Sequence, residues 1–211
     1  MSMVYKTVFR FVALGDSLTY GYQSQSFFAQ GSNVFSYTGF LEVLLRKELE
    51  KRGLGYIEII LVNAGLPGDT VRGMLARLNG HIISLEPDYI IVWGGINDLY
   101  GFKKPDVVMD DLKRIYEGIT AAGAEPIACT VTPVLGYDQI TLRIVELNDL
   151  IRDYCKRQRI LLVELFGATS DGQDRLREDY SDDGIHLNTS GYRRVSEAVG
   201  KVILELFLNM L

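Results

Sequence analysis

Five short apolar segments alternate with segments of helical periodicity along this chain of 211 residues, and this alternation restricts its fold more than any other feature. Each apolar segment has the length of a buried strand, and the segments between them place apolar residues three or four positions apart, as a helix requires. Such an alternation predicts an α/β protein, a three-layer α/β/α sandwich in which helices cover both faces of a five-stranded parallel sheet. The five apolar segments are 9–14, 57–62, 89–93, 127–131 and 161–165.

Length and composition are typical of one well-packed domain, which we expect to span residues 1–211. Hydrophobic residues make up 47% of the chain and charged residues 23%, so a filled core is expected. The net charge of −5 argues against nucleic acid as a partner, and no basic amphipathic stretch would hold the chain on an anionic membrane. Two cysteines and no signal-peptide pattern predict a cytoplasmic protein, while the oligomeric state stays open.

Polar residues and glycines follow the predicted strands where each one ends. Ser17 follows the first strand, Gly68 lies in the loop after the second, and Asn97 follows the third. Asp183 and His186 lie in the long connection after the fifth strand. Because parallel strands end at one edge of a sheet, where ligands bind in open α/β folds, these residues are expected on one rim.

The chemistry of these side chains predicts a serine hydrolase. A serine hydroxyl is a weak nucleophile and needs a base, so His186 would take the proton of Ser17 during attack on a carbonyl group. Asp183 would hold the imidazole ring in the useful tautomer. The oxyanion of the tetrahedral intermediate needs fixed donors, which the backbone N–H groups of Ser17 and Gly68 and the side-chain amide of Asn97 could supply. Glycine at 68 would let the backbone approach the oxyanion closely.

Four sequence blocks resemble the signature blocks of the SGNH (GDSL) hydrolases. They are GDSL at 15–18, NAGLPGDT at 63–70, GIND at 95–98 and DGIH at 183–186, and they occur in the family's order across the chain. The resemblance implies a flavodoxin-like sheet with the strand order 2-1-3-4-5 and no cofactor. It also implies that Ser17 is the nucleophile, that Asp183 and His186 complete the triad, and that Gly68 and Asn97 are oxyanion donors.

Other polar residues near these blocks have competing interpretations. Asp182 stands beside Asp183, and only the family resemblance decides between them. His81 precedes the third strand, which predicts a structural role near the opposite edge of the sheet. Asp16 and Asp98 are interpreted as local hydrogen-bond supports. The carboxylates and the two histidines show no metal-ligand spacing, so no metal site is expected.

The sequence therefore predicts an esterase that cleaves short-chain carboxylic esters through an acyl-serine intermediate, with a small-molecule ester as its partner. Acyl transfer to an alcohol or sugar, or hydrolysis of a thioester, would use the same residues. A nucleotide-binding doubly wound domain is the alternative outside the hydrolases, although no glycine-rich dinucleotide or P-loop motif follows the first strand. Four aromatic residues in long connections either line the pocket or pack the loops: Phe27, Phe28, Phe35 and Tyr137.

Overall fold

Five parallel strands form the central sheet of the protein. The computed structural model describes residues 7–24, 35–136 and 138–209. Within these residues the strands pair in the order β2-β1-β3-β4-β5, which confirms the predicted fold class and the flavodoxin-like order. The strands are β1 (Val8–Gly15), β2 (Glu58–Gly65), β3 (Tyr89–Trp93), β4 (Glu125–Cys129) and β5 (Leu161–Val163).

Helices cover both faces of this sheet. On one side α2 packs against α8, and on the other α3 packs against α5, which also packs against α6. The described helices are α1 (Ser17–Tyr20), α2 (Tyr37–Lys51), α3 (Val71–Arg77), α4 (Ile96–Tyr100), α5 (Pro105–Ala121), α6 (Asp138–Gln158), α7 (Leu165–Thr169) and α8 (Thr189–Asn209). None of the helices in the described residues is long and apolar enough to cross a membrane.

The strand order creates a switch point between β1 and β3. The chain leaves β1 toward β2 on one side and leaves β3 toward β4 on the other, so right-handed connections place their helices on opposite faces. A crevice opens at the carboxyl ends of the strands where the connections diverge, and this is where open α/β sheets bind ligands. Ser17 and Asn97 follow the two strands that border this crevice.

The ends of β4 and β5 differ from the predicted ones. In β4, a side chain replaces the backbone hydrogen bonds of the sheet at the predicted end. Strand β3 has the predicted bounds, but β4 ends at Cys129 instead of at residue 131. The buried Asn148 side chain accepts from the Val131 N–H at 2.7 Å and donates to the Val131 carbonyl at 2.9 Å, so a side chain takes both backbone groups. Leu165, predicted as the end of the fifth strand, is instead the first residue of α7.

Strand β2 is longer at its carboxyl end than predicted. Asn63, Ala64 and Gly65, which the sequence assigns to the following loop, pair with the last residues of β1. Glycine is needed at the ends of both strands because α1 lies directly against them. A Cβ atom on Gly65 would lie 2.2 Å from the Tyr20 nitrogen, and one on Gly15 would lie 2.7 Å from the Thr19 Cβ. This close approach brings Ser17 onto the rim of the sheet.

Candidate active site

Ser17 is the first residue of α1, directly after β1. The residue that caps this short helix is Asp16, whose Oδ1 accepts a hydrogen bond from the Leu18 N–H at 2.9 Å. Helix caps are commonly serine or aspartate, and here the aspartate takes the capping role. The Ser17 hydroxyl is therefore not used as a cap, and the residue is only 7% exposed.

Ser17, His186 and Asp183 form a continuous chain of hydrogen bonds. The Ser17 Oγ lies 3.2 Å from the His186 Nε2, and the His186 Nδ1 lies 2.8 Å from the Asp183 Oδ2. Because a carboxylate can only accept, Nδ1 carries the proton and Nε2 is left as an acceptor for the serine hydroxyl. This is the tautomer that a general base for Ser17 needs.

The Asp183 carboxylate is stabilised in its charged form. Burial by itself raises the pKa of this carboxyl, but hydrogen bonds from the His186 ring and from the Ile185 and His186 backbone amides outweigh it and lower the pKa. The two amides donate to Oδ1 at 2.9 and 2.7 Å, which leaves Oδ2 for the imidazole. Asp182 is exposed, and in the described part of the chain the His186 ring is hydrogen-bonded to Asp183 and not to the Asp182 carboxylate.

The three predicted oxyanion donors follow β1, β2 and β3. Gly68 has a φ of +77°, a backbone conformation that favours glycine, and a Cβ atom there would meet nothing within 4 Å among the described residues. Backbone conformation, and not crowding by these residues, is therefore what requires glycine at 68. Asn97 lies in the first turn of α4 and donates one Nδ2 hydrogen to the Asp69 carbonyl at 2.9 Å. An amide nitrogen has two hydrogens, so one donor remains.

A partly buried ion pair ties the Gly68 loop to the end of β1. The Asp69 carboxylate accepts from the Arg77 Nε at 2.8 Å, and the Arg77 Nη2 donates to the Gly15 carbonyl at 3.0 Å. Arg77 thereby links the loop after β2 to the residue that precedes Asp16. Sequence reasoning did not identify Arg77, because its link to Gly15 spans 62 positions of the chain and leaves no local pattern.

Asp98 and Asp16 are supports for the backbone around the site, as predicted, but Asp98 acts over a long distance in sequence. Its Oδ2 accepts from the Val71 N–H at 2.8 Å, so a residue of α4 satisfies the amino end of α3. Its Oδ1 accepts from the Lys103 Nζ at 2.6 Å. Asp98 therefore fixes the segment that carries Gly68 relative to the segment that carries Asn97.

Asp16 has a more unusual environment than Asp98. The pKa of its carboxyl is raised to about 7, mainly by burial and also by the nearby charges of Asp69 and Asp98, and the hydrogen bond from the Leu18 amide opposes this rise. The Asp16 Oδ2 is buried and has no hydrogen-bond partner among the described residues. A buried carboxyl oxygen without a donor disfavours the ionised form.

Tyr22 is a site residue that the sequence did not indicate. Its ring packs against the imidazole of His186, with the ring centroids 4.5 Å apart. The Tyr22 N–H donates to the Ser17 carbonyl at 3.0 Å, and the Tyr22 carbonyl accepts from the Tyr192 hydroxyl at 2.8 Å. Tyr22 thus connects the Ser17 turn, the His186 ring and α8. It is one of several tyrosines after β1, and no pattern distinguishes it from the others.

The remaining sequence candidates lie away from this site or outside the described residues. His81 is exposed and precedes β3, which places it toward the opposite edge of the sheet. Phe27, Phe28 and Tyr137 lie outside the described residues, while Phe35 is 39% exposed just before α2. Among the described residues, no group of three or more His, Cys, Asp and Glu side chains is arranged to hold a metal ion.

A large groove among the described residues lies away from this site. It has a volume of about 940 Å³ and lies between α2 and α8, where Phe40, Leu44 and Arg193 line it. Neither Ser17 nor His186 lines this groove. The residues that line this groove therefore do not indicate which substrate Ser17 and His186 would act on.

Comparison with known proteins gives one family and many similar folds. The model of the GDSL-like Lipase/Acylhydrolase family matches residues 13–194, a span that includes every site residue described above. A search of curated proteins finds no match. Among solved structures, a lipase/acylhydrolase from Enterococcus faecalis is 25% identical with a TM-score of 0.74, over 92% of this chain and 95% of that protein.

Two further solved structures share the fold at lower identity. A member of the lipolytic protein G-D-S-L family from Veillonella parvula is 19% identical with a TM-score of 0.73, over 92% of this chain and 97% of its own. A variant of an acetyl-xylooligosaccharide esterase from Geobacillus Stearmophilus is 20% identical with a TM-score of 0.75, over 92% of this chain and 93% of its own.

Proposed function

Because the chain belongs to the GDSL-like lipase/acylhydrolase family, we propose that it hydrolyses short-chain carboxylic esters through an acyl enzyme on Ser17. The observation that carries this proposal is the hydrogen-bonded chain from Ser17 through His186 to Asp183. Family membership supports a hydrolase acting on esters, and it favours this function over a nucleotide-binding domain of the same fold class.

In the proposed acylation step, the Ser17 oxygen attacks the ester carbonyl carbon while its proton moves to the His186 Nε2. The resulting imidazolium is stabilised by the Asp183 carboxylate, which stays ionised. Collapse of the tetrahedral intermediate breaks the carbon–oxygen bond of the ester, and the same Nε2 proton passes to the leaving alcohol. The acyl group is then bound to Ser17.

In the proposed deacylation step, water takes the place of the alcohol. His186 removes a proton from water as it attacks the acyl carbon, and the proton returns to the Ser17 oxygen when the acid leaves. Each step forms an oxyanion, which we propose is stabilised by the Ser17 N–H, the Gly68 N–H and the free hydrogen of the Asn97 amide. The links through Asp69, Arg77 and Asp98 would hold these donors in place before the substrate arrives.

We propose that the acyl groups are short, and one solved structure that shares this fold is a variant of an acetyl-xylooligosaccharide esterase. Similarity to the acetyl-xylooligosaccharide esterase concerns the fold, so it suggests a substrate to test and does not assign one. We also propose a reducing, cytoplasmic location, which the two free buried thiols of Cys129 and Cys155 support.

A substrate panel tests this proposal. The purified chain is assayed against p-nitrophenyl esters from acetate to palmitate, then against acetylated sugars and acyl-CoA, with the Ser17→Ala variant as control. The proposal predicts that kcat/KM is highest for acetate to butyrate and that the variant is inactive. Faster turnover of acyl-CoA, or faster transfer to an added alcohol than to water, would favour the thioesterase or acyltransferase alternative.

A further inference from the structure

Ser181 lies at the start of the turn that carries Asp183 and His186. We propose that Ser181 is a positioning residue, whose hydroxyl holds this turn in the one geometry that aims the imidazole at Ser17. This inference rests on the proposed function, because it concerns how the base of that reaction is oriented. Ser181 and Leu187 form an isolated antiparallel bridge, so the turn between them has both ends joined.

The Ser181 hydroxyl is satisfied in both directions by backbone groups of the turn. It donates to the His186 carbonyl at 2.6 Å, and it accepts from the Gly184 N–H at 2.9 Å. The residue is 8% exposed, so water has little access to replace these contacts. A single buried hydroxyl therefore fixes the backbone at two points of a turn that has no helix or sheet ladder of its own.

Asp183 holds the same turn from within, but it also has to orient the imidazole. Its Oδ1 accepts from the Ile185 and His186 amides, and the Ser181 Oγ lies 3.4 Å from that oxygen. Because the Ser181 hydroxyl donates its proton to the His186 carbonyl, Ser181 and Asp183 bind different backbone groups of the turn. Asp183 binds the amide side of His186, and Ser181 binds its carbonyl side.

A further contact holds the turn against the loop after β4. The Gly184 carbonyl accepts from the Leu135 N–H at 2.8 Å, and Gly184 has a φ of +84°. A Cβ atom at 184 would lie 3.1 Å from the Leu135 Cβ, so the turn is closely seated. This contact fixes Gly184 but leaves His186 two residues away. At His186 itself, the backbone carbonyl accepts the Ser181 hydroxyl.

The length of the Ser17–His186 contact explains why this support matters. At 3.2 Å it lies at the long limit for a nucleophile and its base, so a small displacement of the His186 backbone would break it. Misplacement by about 1 Å can lower the rate about 10²-fold even when no reacting group is removed. Loss of the Ser181 hydroxyl is therefore expected to reduce turnover without reducing substrate binding.

The test compares Ser181→Ala, Ser181→Cys and Ser181→Thr with wild type, using Asp182→Asn as the matched control on the same turn. Ser181 has an extended backbone with φ −149° and ψ 146°, which suits a β-branched residue, so threonine keeps the hydroxyl in a tolerated conformation. The alanine variant is expected to lose about 10- to 100-fold in kcat with KM within about twofold. The threonine variant is expected to stay within about threefold of wild type, and the Asp182 control is expected to lose less than about tenfold.

A second readout needs no substrate. The proton shared by His186 Nδ1 and Asp183 gives a far-downfield NMR signal when the ring is held in place. We expect this signal in wild type and in Ser181→Thr, and its broadening or loss in Ser181→Ala and Ser181→Cys at temperatures well below unfolding. If the alanine variant fails to fold, the cysteine variant leaves no cavity and tests the same hydrogen bonds, because a thiol is a weak donor and a weak acceptor.

Wild-type kcat and an intact downfield signal in Ser181→Ala or Ser181→Cys would overturn the inference. So would a loss of activity that follows the melting temperature alone while the signal is unchanged. If wild type itself cleaves no ester in the panel, the proposed function fails, and the NMR comparison still decides whether Ser181 orients His186.

Discussion

The His186 Nε2 lies 3.2 Å from the Ser17 Oγ, although 169 positions of the chain separate the two residues. Ser17 is held by the first strand and a four-residue helix, whereas His186 is held by a turn that follows the last strand of the sheet. Their meeting depends on the whole sheet, because the parallel strands bring the first and last connections to one rim.

The two histidines provide the first prediction. His186→Gln is expected to be nearly inactive, because the glutamine side chain cannot take the Ser17 proton. His81→Gln removes the other histidine on an exposed segment and is expected to keep most activity. Measurement of kcat/KM for p-nitrophenyl acetate with both variants is sufficient. The opposite result, with His81 essential, would contradict the assignment of the base.

The carboxylate that orients the base is tested by a neighbouring pair of substitutions. Asp183→Asn is expected to lower kcat by roughly 10²–10⁴, because the imidazolium loses its counter-charge and Nδ1 loses its acceptor. Asp182→Asn is expected to cost less than about tenfold, since the imidazole of His186 is hydrogen-bonded to Asp183 and not to Asp182. Equal losses would show that the two carboxylates share the role.

The lowered pKa of Asp183 also predicts how its substitution changes stability with pH. Since the folded state lowers this pKa, the carboxylate contributes stability above its ordinary pKa of 3.8, and the contribution is lost as pH falls through the lower folded value. The difference in unfolding free energy between wild type and Asp183→Asn is expected to shrink on acidification below pH 4. A difference that stays constant from pH 7 to pH 2 would contradict this expectation.

Asp16 predicts the opposite dependence on pH. Its folded pKa is raised from 3.8 to about 7, so the folded state keeps a proton that the unfolded chain releases, and stability falls as pH rises between these values. Asp16→Asn has no such proton and keeps an acceptor for the Leu18 amide. Its stability relative to wild type is expected to increase from pH 4 to pH 8, by at most about 4 kcal/mol. Urea unfolding of both proteins at several pH values measures this difference, and a pH-independent difference would mean that Asp16 is ionised in the fold.

Asn97 tests the proposed oxyanion donors. Asn97→Ala is expected to lower kcat by roughly 10²–10³ with little change in KM, because its free amide hydrogen would act mainly on the developing oxyanion. The variant also leaves the Asp69 carbonyl without a donor. Circular dichroism and the melting temperature therefore serve as the control for folding. A large change in KM with kcat preserved would make Asn97 a substrate-binding residue instead.

The architecture could be predicted because it depends on the spacing of apolar residues and on the order of the segments along the chain. Alternating apolar and helical segments determine a covered parallel sheet, and β3 has the predicted bounds. One error, at the end of β4, occurs where a distant side chain acts on the backbone. The Asn148 side chain is hydrogen-bonded to the N–H and the carbonyl of Val131, so Val131 does not continue β4. No residue near Val131 in sequence indicates this contact.

The same reasoning separates the site residues that could be predicted from those that could not. Ser17 and His186 have side chains whose chemistry is recognisable in any context. Arg77 and Ser181 have common side chains, and their roles at the site follow only from the backbone groups to which they are hydrogen-bonded. Arg77 meets Gly15 across 62 positions, and the Ser181 hydroxyl meets backbone groups that carry no sequence signal. Prediction of these roles requires the folded chain.

The most direct test of the central claim is covalent labelling of Ser17. A fluorophosphonate probe reacts with an activated serine, and peptide mass spectrometry then identifies the modified residue. The proposed function predicts stoichiometric labelling at Ser17 in wild type, together with loss of esterase activity, and no labelling in a folded Ser17→Ala variant, whose turnover falls by about 10⁵ or more. Labelling of another serine, or a Ser17→Ala variant that keeps more than a tenth of wild-type activity, would contradict the claim that Ser17 is the nucleophile.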